Sequence, residues 1–358
     1  MRIFFTLAIF IGLYLPYASS QNTSDTPPNI VIILADDYGV GNIQAHFPDN
    51  KLPSPHLDRF SAQSMRFTNA HSGSAVCTPT RYGLLTGRYA WRTRLQEWVL
   101  ACYEPPLIPK DRLTLPGFLK QHGYATANYG KAHLRKDPKT YGFDEAITGW
   151  VKSYYHPFGG EYNKSLPANE GDYYTDKLTD AAIDFIERNK DQPFFVHLEH
   201  FSVHDPIQGR KDLVEKYQKK LAVMPHQEGP DFILEPNPDG PSVSAEKLKT
   251  LEEDDTSETH QSARVWWVKQ KQDNIEFAGM VEATDQSLGR IRAKLKELGL
   301  EKNTIIIFTA DNGGMAASNQ YRGISQPREA LDKYFASSNL PLRGSECFLM
   351  CHVKPSRC

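Results

Sequence analysis

Four short apolar runs stand out along the chain, and each is followed by polar residues. Successive apolar positions over six or seven residues are typical of strands that are buried on both faces of a parallel sheet. We therefore predict four such strands. Their bounds are Asn29 to Ala35, Tyr124 to Tyr129, Pro193 to Leu198 and Thr304 to Ala310.

Helical patterns separate these runs. Thr114 followed by Leu115 and Pro116 is a helix start, and Gly123 is a helix end. Two longer stretches place apolar residues at helical spacing. The alternation of helices and strands predicts an α/β fold with a mostly parallel sheet flanked by helices. The two apolar stripes are Leu178, Ala182, Phe185 and Ile186, and Ala278, Val281, Leu288, Ile291, Leu295 and Leu298.

The stretch 205–272 differs in character, being polar and rich in proline, with an acidic patch at 252–255. We predict a long excursion from the main body that contains one or two helices. Two interpretations stay open at this stage. The excursion covers a substrate, or it is a solvated insertion with no role in the chemistry.

The beginning of the chain resembles a secretory signal. Arg2 precedes an apolar run from Ile3 to Leu15, and Ala18-Ser19-Ser20 is a small-residue cleavage site, so we expect cleavage after Ser20. The run is too short to span a bilayer, although a retained anchor is the alternative. We expect an exported protein, periplasmic or extracellular, with no membrane association in its mature form.

The amino-acid composition argues against a nucleic-acid partner. Apolar residues make up 40% of the chain and the formal net charge is −2, which suits a large core. Because there is no basic excess, we expect no nucleic-acid partner.

The segment Cys77 to Arg81, which reads Cys-Thr-Pro-Thr-Arg, places a thiol at a predicted helix start. Pro79 suits the first turn of a helix and Gly87 suits its end. A helix start attracts anions, and Arg81 lies one turn further along the same face, so it can reach an oxyanion held at Cys77. A buried structural cysteine is the alternative.

Polar residues with catalytic or metal-binding chemistry follow all four predicted strands, where ligands bind in open parallel sheets. Two of these ends supply only oxygen ligands, which suits Ca²⁺ or Mg²⁺ rather than zinc. Calcium fits better than magnesium, because it accepts six or so oxygen ligands in a flexible geometry. Turn formation by Asp and Asn is the alternative. The oxygen ligands are Asp36 and Asp37 after the first strand and Asp311 and Asn312 after the last.

The second and third strand ends contribute nitrogen groups. Lys131 and His133 are two residues apart, so in an extended segment both side chains project the same way. His204 follows the third strand. A solvated lysine and incidental histidines are the alternative, because a lone histidine is more often structural than catalytic.

Together these motifs, in this order, are similar to those of the formylglycine-dependent sulfatases of the arylsulfatase A type, within the alkaline phosphatase superfamily. The similarity runs from Asn29 to Gly344. It implies one calcium ion bound by these four oxygen-ligand residues together with Cys77, which would be oxidised to formylglycine. It implies that Arg81 and Lys131 hold the sulfate charge, that His133 is a base, and that His204 donates a proton to the leaving group.

The implied chemistry is the hydrolysis of sulfate monoesters. A hydrated aldehyde attacks sulfur through one hydroxyl, and loss of a proton from the other expels sulfate. The implied partners are a sulfated small molecule or polysaccharide and a formylglycine-generating enzyme during maturation. Two alternatives stay open: a phosphodiesterase or phosphonate hydrolase of the same superfamily, and a non-catalytic sulfatase-like remnant.

The end of the chain departs from the family pattern. Glu346 stands where the family has a further lysine that bridges sulfate and leaving group, and residues 345–358 no longer resemble the family. The small C-terminal sheet of the family is missing, so we expect a truncated chain. The predicted organisation is a signal peptide at 1–20, a catalytic α/β domain at 21–344 and a divergent tail at 345–358.

Overall fold

The computed structural model describes residues 26–316, apart from 97, 102, 150, 156–165, 224–227, 237–241 and 254–264, together with residues 338 and 340. The signal segment predicted at 1–20 and the tail at 345–358 lie outside the described residues. Among these residues the strands are β1 (Asn29–Ala35), β2 (Ala125–Gly130), β3 (Glu145–Thr148), β4 (Phe194–Glu199), β5 (Phe232–Pro236), β6 (Val265–Lys269) and β7 (Thr304–Ala310). The α-helices are α1 (Pro55–Gln63), α2 (Cys77–Thr86), α3 (Leu115–Gln121), α4 (Tyr174–Arg188), α5 (Lys211–Leu221), α6 (Ala245–Glu253) and α7 (Ile275–Glu297).

Five strands form one parallel sheet in the order β3-β2-β4-β1-β7. Strand β1 is paired on both sides, with Ile30 opposite Phe195 of β4 and Ile305 of β7. Strands β5 and β6 pair antiparallel in a separate two-stranded sheet. The predicted α/β fold with a parallel central sheet is confirmed.

Helices cover both faces of the parallel sheet. Because successive strand residues point to opposite faces, Val31 and Ile33 of β1 pack in one apolar cluster and Ile32 in another. The first cluster contains the inner faces of α4 and α7, and the second contains those of α2 and α3. The site described below lies at the carboxyl edge of this three-layer body.

The predicted elements agree closely with the observed ones. The bounds of β1 and β7 are as predicted, while β2 and β4 begin and end one residue later than predicted. Thr114 caps α3 by accepting a hydrogen bond from the Gly117 amide at 3.3 Å. Both predicted apolar stripes lie on helices, α4 and α7, up to Leu298, which directly follows α7.

Three strands were not predicted. Strand β3 has only four residues, and its pattern is too short to indicate a strand. The predicted excursion 205–272 contains the expected helices, α5 and α6, but also β5 and β6, whose side chains pack in a small core of their own that includes Trp267. In the part of the chain that the structure describes, no helix has the length and apolar character needed to cross a membrane.

Candidate active site

The site lies where the parallel strands end. Asp36 follows β1 and Asp311 follows β7, and a backbone hydrogen bond of 3.2 Å from the Asp311 amide to the Ala35 carbonyl joins the two ends. The Asp36 amide donates to the Ser202 carbonyl at 3.1 Å, which ties β1 to the segment after β4. Parallel pairing therefore brings residues that are distant in sequence to a single edge.

Cys77 is the first residue of α2. The helix begins after Val76, which is extended, and ends at Gly87, whose φ of 65° is left-handed, as the sequence predicted. The thiol is buried, and its sulfur lies 3.2 Å from the Lys131 ammonium nitrogen. A nucleophile at this position faces both a helix N-terminus and a cation, and both stabilise negative charge.

Arg81 lies one turn along α2, fully buried among carboxylates. One of its terminal nitrogens lies 2.6 Å from Asp311 and 3.3 Å from Asp36, and the other donates to the Lys131 carbonyl. Burial alone disfavours the cation, but the carboxylates of Asp311 and Asp36 outweigh it and hold the pKa of Arg81 above its ordinary value. The guanidinium is a permanent positive charge next to Cys77.

Lys131 completes the charged cluster by pairing with Asp36. Burial disfavours ionisation of Asp36, yet Lys131, His204 and Arg81 together hold its pKa below the usual range, so it is an anion. Asp311 differs, since burial and the neighbouring Asp36 charge raise its pKa to about 6. Two buried carboxylates that repel each other are favourable surroundings for a further cation.

The oxygen donors of the cluster fit a hard divalent ion, and the Cys77 sulfur lies beside them. One carboxylate oxygen each from Asp36 and Asp311 and the Cys77 sulfur lie within 4.8 Å of one another. Asn312 donates to Asp37 at 2.6 Å, and its own buried Oδ1 has no hydrogen-bond partner within the described ranges. A buried carbonyl oxygen left without a donor beside three carboxylates suits a metal ligand, and such oxygens suit calcium.

The two predicted histidines have opposite electrostatic surroundings. Burial, Lys131 and Arg81 lower the pKa of His133 well below its ordinary value, so its ring is neutral. Burial and Lys131 also disfavour the charged form of His204, but nearby carboxylates raise its pKa to about 10. These are Asp205, 2.8 Å from its Nδ1, and Asp37, 3.9 Å from its Nε2.

The structure thus brings all nine predicted site residues to one region. Sequence reasoning missed Glu199, the last residue of β4, whose carboxylate lies 3.6 Å from Arg81 and is almost completely buried. It also missed His197, whose Nδ1 is 3.0 Å from Glu199. The available signal was two ionisable residues, two positions apart, in an otherwise apolar strand.

The fold and this cluster define an alkaline phosphatase-like α/β protein. The family model described as Sulfatase matches residues 28–336, and the chain therefore belongs to the sulfatase family. An N-acetylgalactosamine-6-O-sulfatase of Bacteroides thetaiotaomicron is 27% identical, over 86% of this chain and 63% of that protein. An arylsulfatase J of Mus musculus is 24% identical, over 92% of this chain and 47% of that protein, so the chain spans about half to two thirds of the length of these relatives.

Solved structures share the fold. The structure of Ps i-CgsB in complex with k-i-k-neocarrahexaose has a TM-score of 0.60 and 23% identity, covering 81% of this chain and 59% of that one. The sulfatase PsFucS1 from Pseudoalteromonas sp. has a TM-score of 0.55 and 22% identity, covering 80% of this chain and 55% of that one.

Proposed function

We propose that this chain hydrolyses sulfate monoesters with a formylglycine nucleophile derived from Cys77 and one bound calcium ion. The observation that carries the proposal is the position of Cys77. In a chain of the sulfatase family, its sulfur is at a helix start, 3.2 Å from the Lys131 ammonium and beside the carboxylates of Asp36 and Asp311. The cations beside this thiol suit the binding of a sulfate group, and the carboxylates suit a divalent cation.

The charge of each surrounding residue determines its proposed role in the reaction. Lys131 and Arg81 stabilise the negative charge of the sulfuryl oxygens, where preorganised charge acts most strongly. His204, protonated, donates a proton to the leaving oxygen of the alcohol. His133, neutral, accepts the proton whose loss allows sulfate to leave. The opposite pKa shifts of the two histidines support this division into acid and base.

The metal proposal rests on the oxygen donors. Asp36, Asp37, Asp311 and Asn312 would hold the ion together with the oxidised side chain of residue 77, and calcium accepts such a set. When bound, the ion polarises sulfuryl oxygens as a Lewis acid and favours the ionised nucleophile. The raised pKa of Asp311, caused by burial and by Asp36, supports a cation at this place.

The proposed substrates are sulfated saccharides. The names of two relatives state what they act on: the N-acetylgalactosamine-6-O-sulfatase of Bacteroides thetaiotaomicron and an ulvan-active sulfatase of Formosa agariphila, 27% identical over 84% of this chain and 53% of that protein. We further propose that the chain is exported after cleavage behind Ser20, that 21–344 is the catalytic domain, and that a formylglycine-generating enzyme matures it.

The test is production of the full chain together with a formylglycine-generating enzyme. Mass spectrometry of the Cys77 peptide measures the aldehyde, and paired assays measure turnover of nitrophenyl sulfate and a nitrophenyl phosphate diester. We expect the aldehyde and faster sulfate turnover, both lost in Cys77→Ala. Preference for the diester would identify a phosphodiesterase instead, and an aldehyde without turnover of either ester would identify a non-catalytic remnant.

A further inference from the structure

Glu199 is an ionisable residue at the centre of the fold that the proposed chemistry does not use. It ends β4, the middle strand of the five, and lies opposite Leu34 of β1 and Gly130 of β2. Its side chain is 1% exposed. A buried carboxylate is costly unless it is paired, so its partners indicate its purpose.

Those partners converge on Arg81. One terminal nitrogen of Arg81 contacts Asp36 and Asp311, while the other lies 3.6 Å from the Glu199 carboxylate and donates to the Lys131 carbonyl. The guanidinium therefore lies between the two aspartates at one end and Glu199 at the other. A planar guanidinium fixed at one end has few orientations left for the other.

Glu199 is itself held in place. It is hydrogen bonded to the Asn128 side chain, and the Nδ1 of His197 is 3.0 Å from its Oε1. His197 and Asn128 are opposite each other in neighbouring strands, and each is almost fully buried. The carboxylate thus has a rigid base in the middle of the sheet rather than a mobile surface position.

The carboxylates at the two ends of the Arg81 guanidinium differ in whether they also bind the proposed metal ion. Under the proposed function, Asp36 and Asp311 bind a divalent cation, which competes with Arg81 for the same oxygens. Glu199 lies outside that ligand set. Burial raises the pKa of Glu199 to about 7, and Arg81 is the main group that favours its charged form, so the carboxylate depends on the guanidinium 3.6 Å away. An arginine held only by the metal-binding carboxylates would oppose cation binding, because it would lose its counter-charges when the cation arrived.

We propose that Glu199 is a positioning residue that holds one end of the Arg81 guanidinium and so frees Asp36 and Asp311 for the metal ion. This inference rests on the proposed function. Without the Glu199 charge, Arg81 stays bound to the two aspartates and competes with the ion. Supporting groups around metal sites contribute about 10–100-fold in metal affinity or activity, which sets the size of effect that we expect.

The test is a double-mutant cycle on calcium affinity, measured by calorimetry on the full chain. The four proteins are the wild type, Glu199→Gln, Arg81→Ala and the double variant. We expect Glu199→Gln to weaken calcium binding at least tenfold in the wild-type background and less than threefold in the Arg81→Ala background. Equal weakening in both backgrounds would show that Glu199 acts by long-range charge alone and would overturn the proposal.

Two further variants complete the design. Glu282→Gln is the matched control, because Glu282 is also a buried glutamate paired with a basic side chain, at 2.7 Å from Lys216, and it lies on α7 rather than at a strand end. It should leave calcium affinity unchanged. Glu199→Asp keeps the charge but shortens the side chain. If Glu199→Gln does not fold, Glu199→Asp takes its place in the same double-mutant cycle on calcium affinity. A wild type that binds no calcium would refute the metal in the proposed function, whereas calcium binding with an additive cycle refutes only the positioning role.

Discussion

Replacing Lys131 with methionine tests the charge that lies closest to the proposed nucleophile. Methionine keeps most of the length and apolar character of lysine but removes the ammonium, whose nitrogen is 3.2 Å from the Cys77 sulfur. Loss of one preorganised donor at a developing charge costs about 2.7–4 kcal/mol, or two to three decades in rate. We expect kcat/KM for nitrophenyl sulfate to fall by that factor.

The same substitution has a smaller effect on stability. Asp36 loses its lysine but keeps Arg81, 3.3 Å away, so its charge stays partly compensated. Removal of one partner of a buried pair costs about 3–5 kcal/mol when the remaining charge is left uncompensated. We therefore expect Lys131→Met to lower the free energy of unfolding by less, about 1–3 kcal/mol, in urea titrations.

The assay separates chemistry from folding through a matched control. Lys269 is likewise a buried lysine, 1% exposed and 2.6 Å from Asp273, but it lies on β6 of the two-stranded sheet. Lys269→Met should lose stability while it keeps kcat/KM. Rates are compared at equal aldehyde content, measured by mass spectrometry. A Lys131→Met protein that is folded, carries the aldehyde and stays within threefold of wild-type kcat/KM would refute the catalytic reasoning.

Three further predictions concern the site and its scaffold. Chelation of calcium should lower the melting temperature, and readdition should restore it in proportion to the logarithm of calcium concentration; a melting temperature indifferent to calcium would contradict the metal site. Gly130→Ala should prevent stable folding, because its Cβ would meet the Glu199 carbonyl oxygen at 1.8 Å, whereas Gly299→Ala, in open space, should cost about 1 kcal/mol for its φ of 72°. Burial raises the pKa of Asp285 from 3.8 to about 6, so the native state binds its proton more tightly than the unfolded state. As pH rises from 4 to 7, the free energy of unfolding of the wild type should therefore fall by on the order of 2–3 kcal/mol relative to that of Asp285→Asn. The same pH dependence of unfolding free energy in both proteins would contradict this.

Much of the fold was predictable because the buried parallel strands are continuous apolar runs. The bounds of β1 and β7 follow from these runs, and the polar residues at their ends indicate Asp36 and Asp311 from the sequence alone. Strand β3 was not predictable, since a four-residue strand has no distinguishable period. Strands β5 and β6 were missed because their pairing partner is each other, within a polar excursion, rather than the main sheet.

The sequence predicted which residues lie at the site, but not which of their side chains contact each other. Strand ends indicate which residues meet at the edge of a sheet, and this is how Lys131 and His204 were selected. They do not indicate which cation faces which carboxylate, because that depends on side-chain direction and on register. Glu199 became visible only when the register placed it opposite Leu34 and Gly130, within reach of Arg81.

The charge balance of the site links its folding to its chemistry. The sheet brings Asp36, Asp37 and Asp311 together, and such a concentration of buried carboxylates opposes folding. Arg81 and Lys131 offset this repulsion within the protein. The same two cations are the groups that the proposed reaction requires at the sulfuryl oxygens. They serve both purposes only if a divalent ion replaces them at the carboxylates, so that their charge is then directed to the substrate.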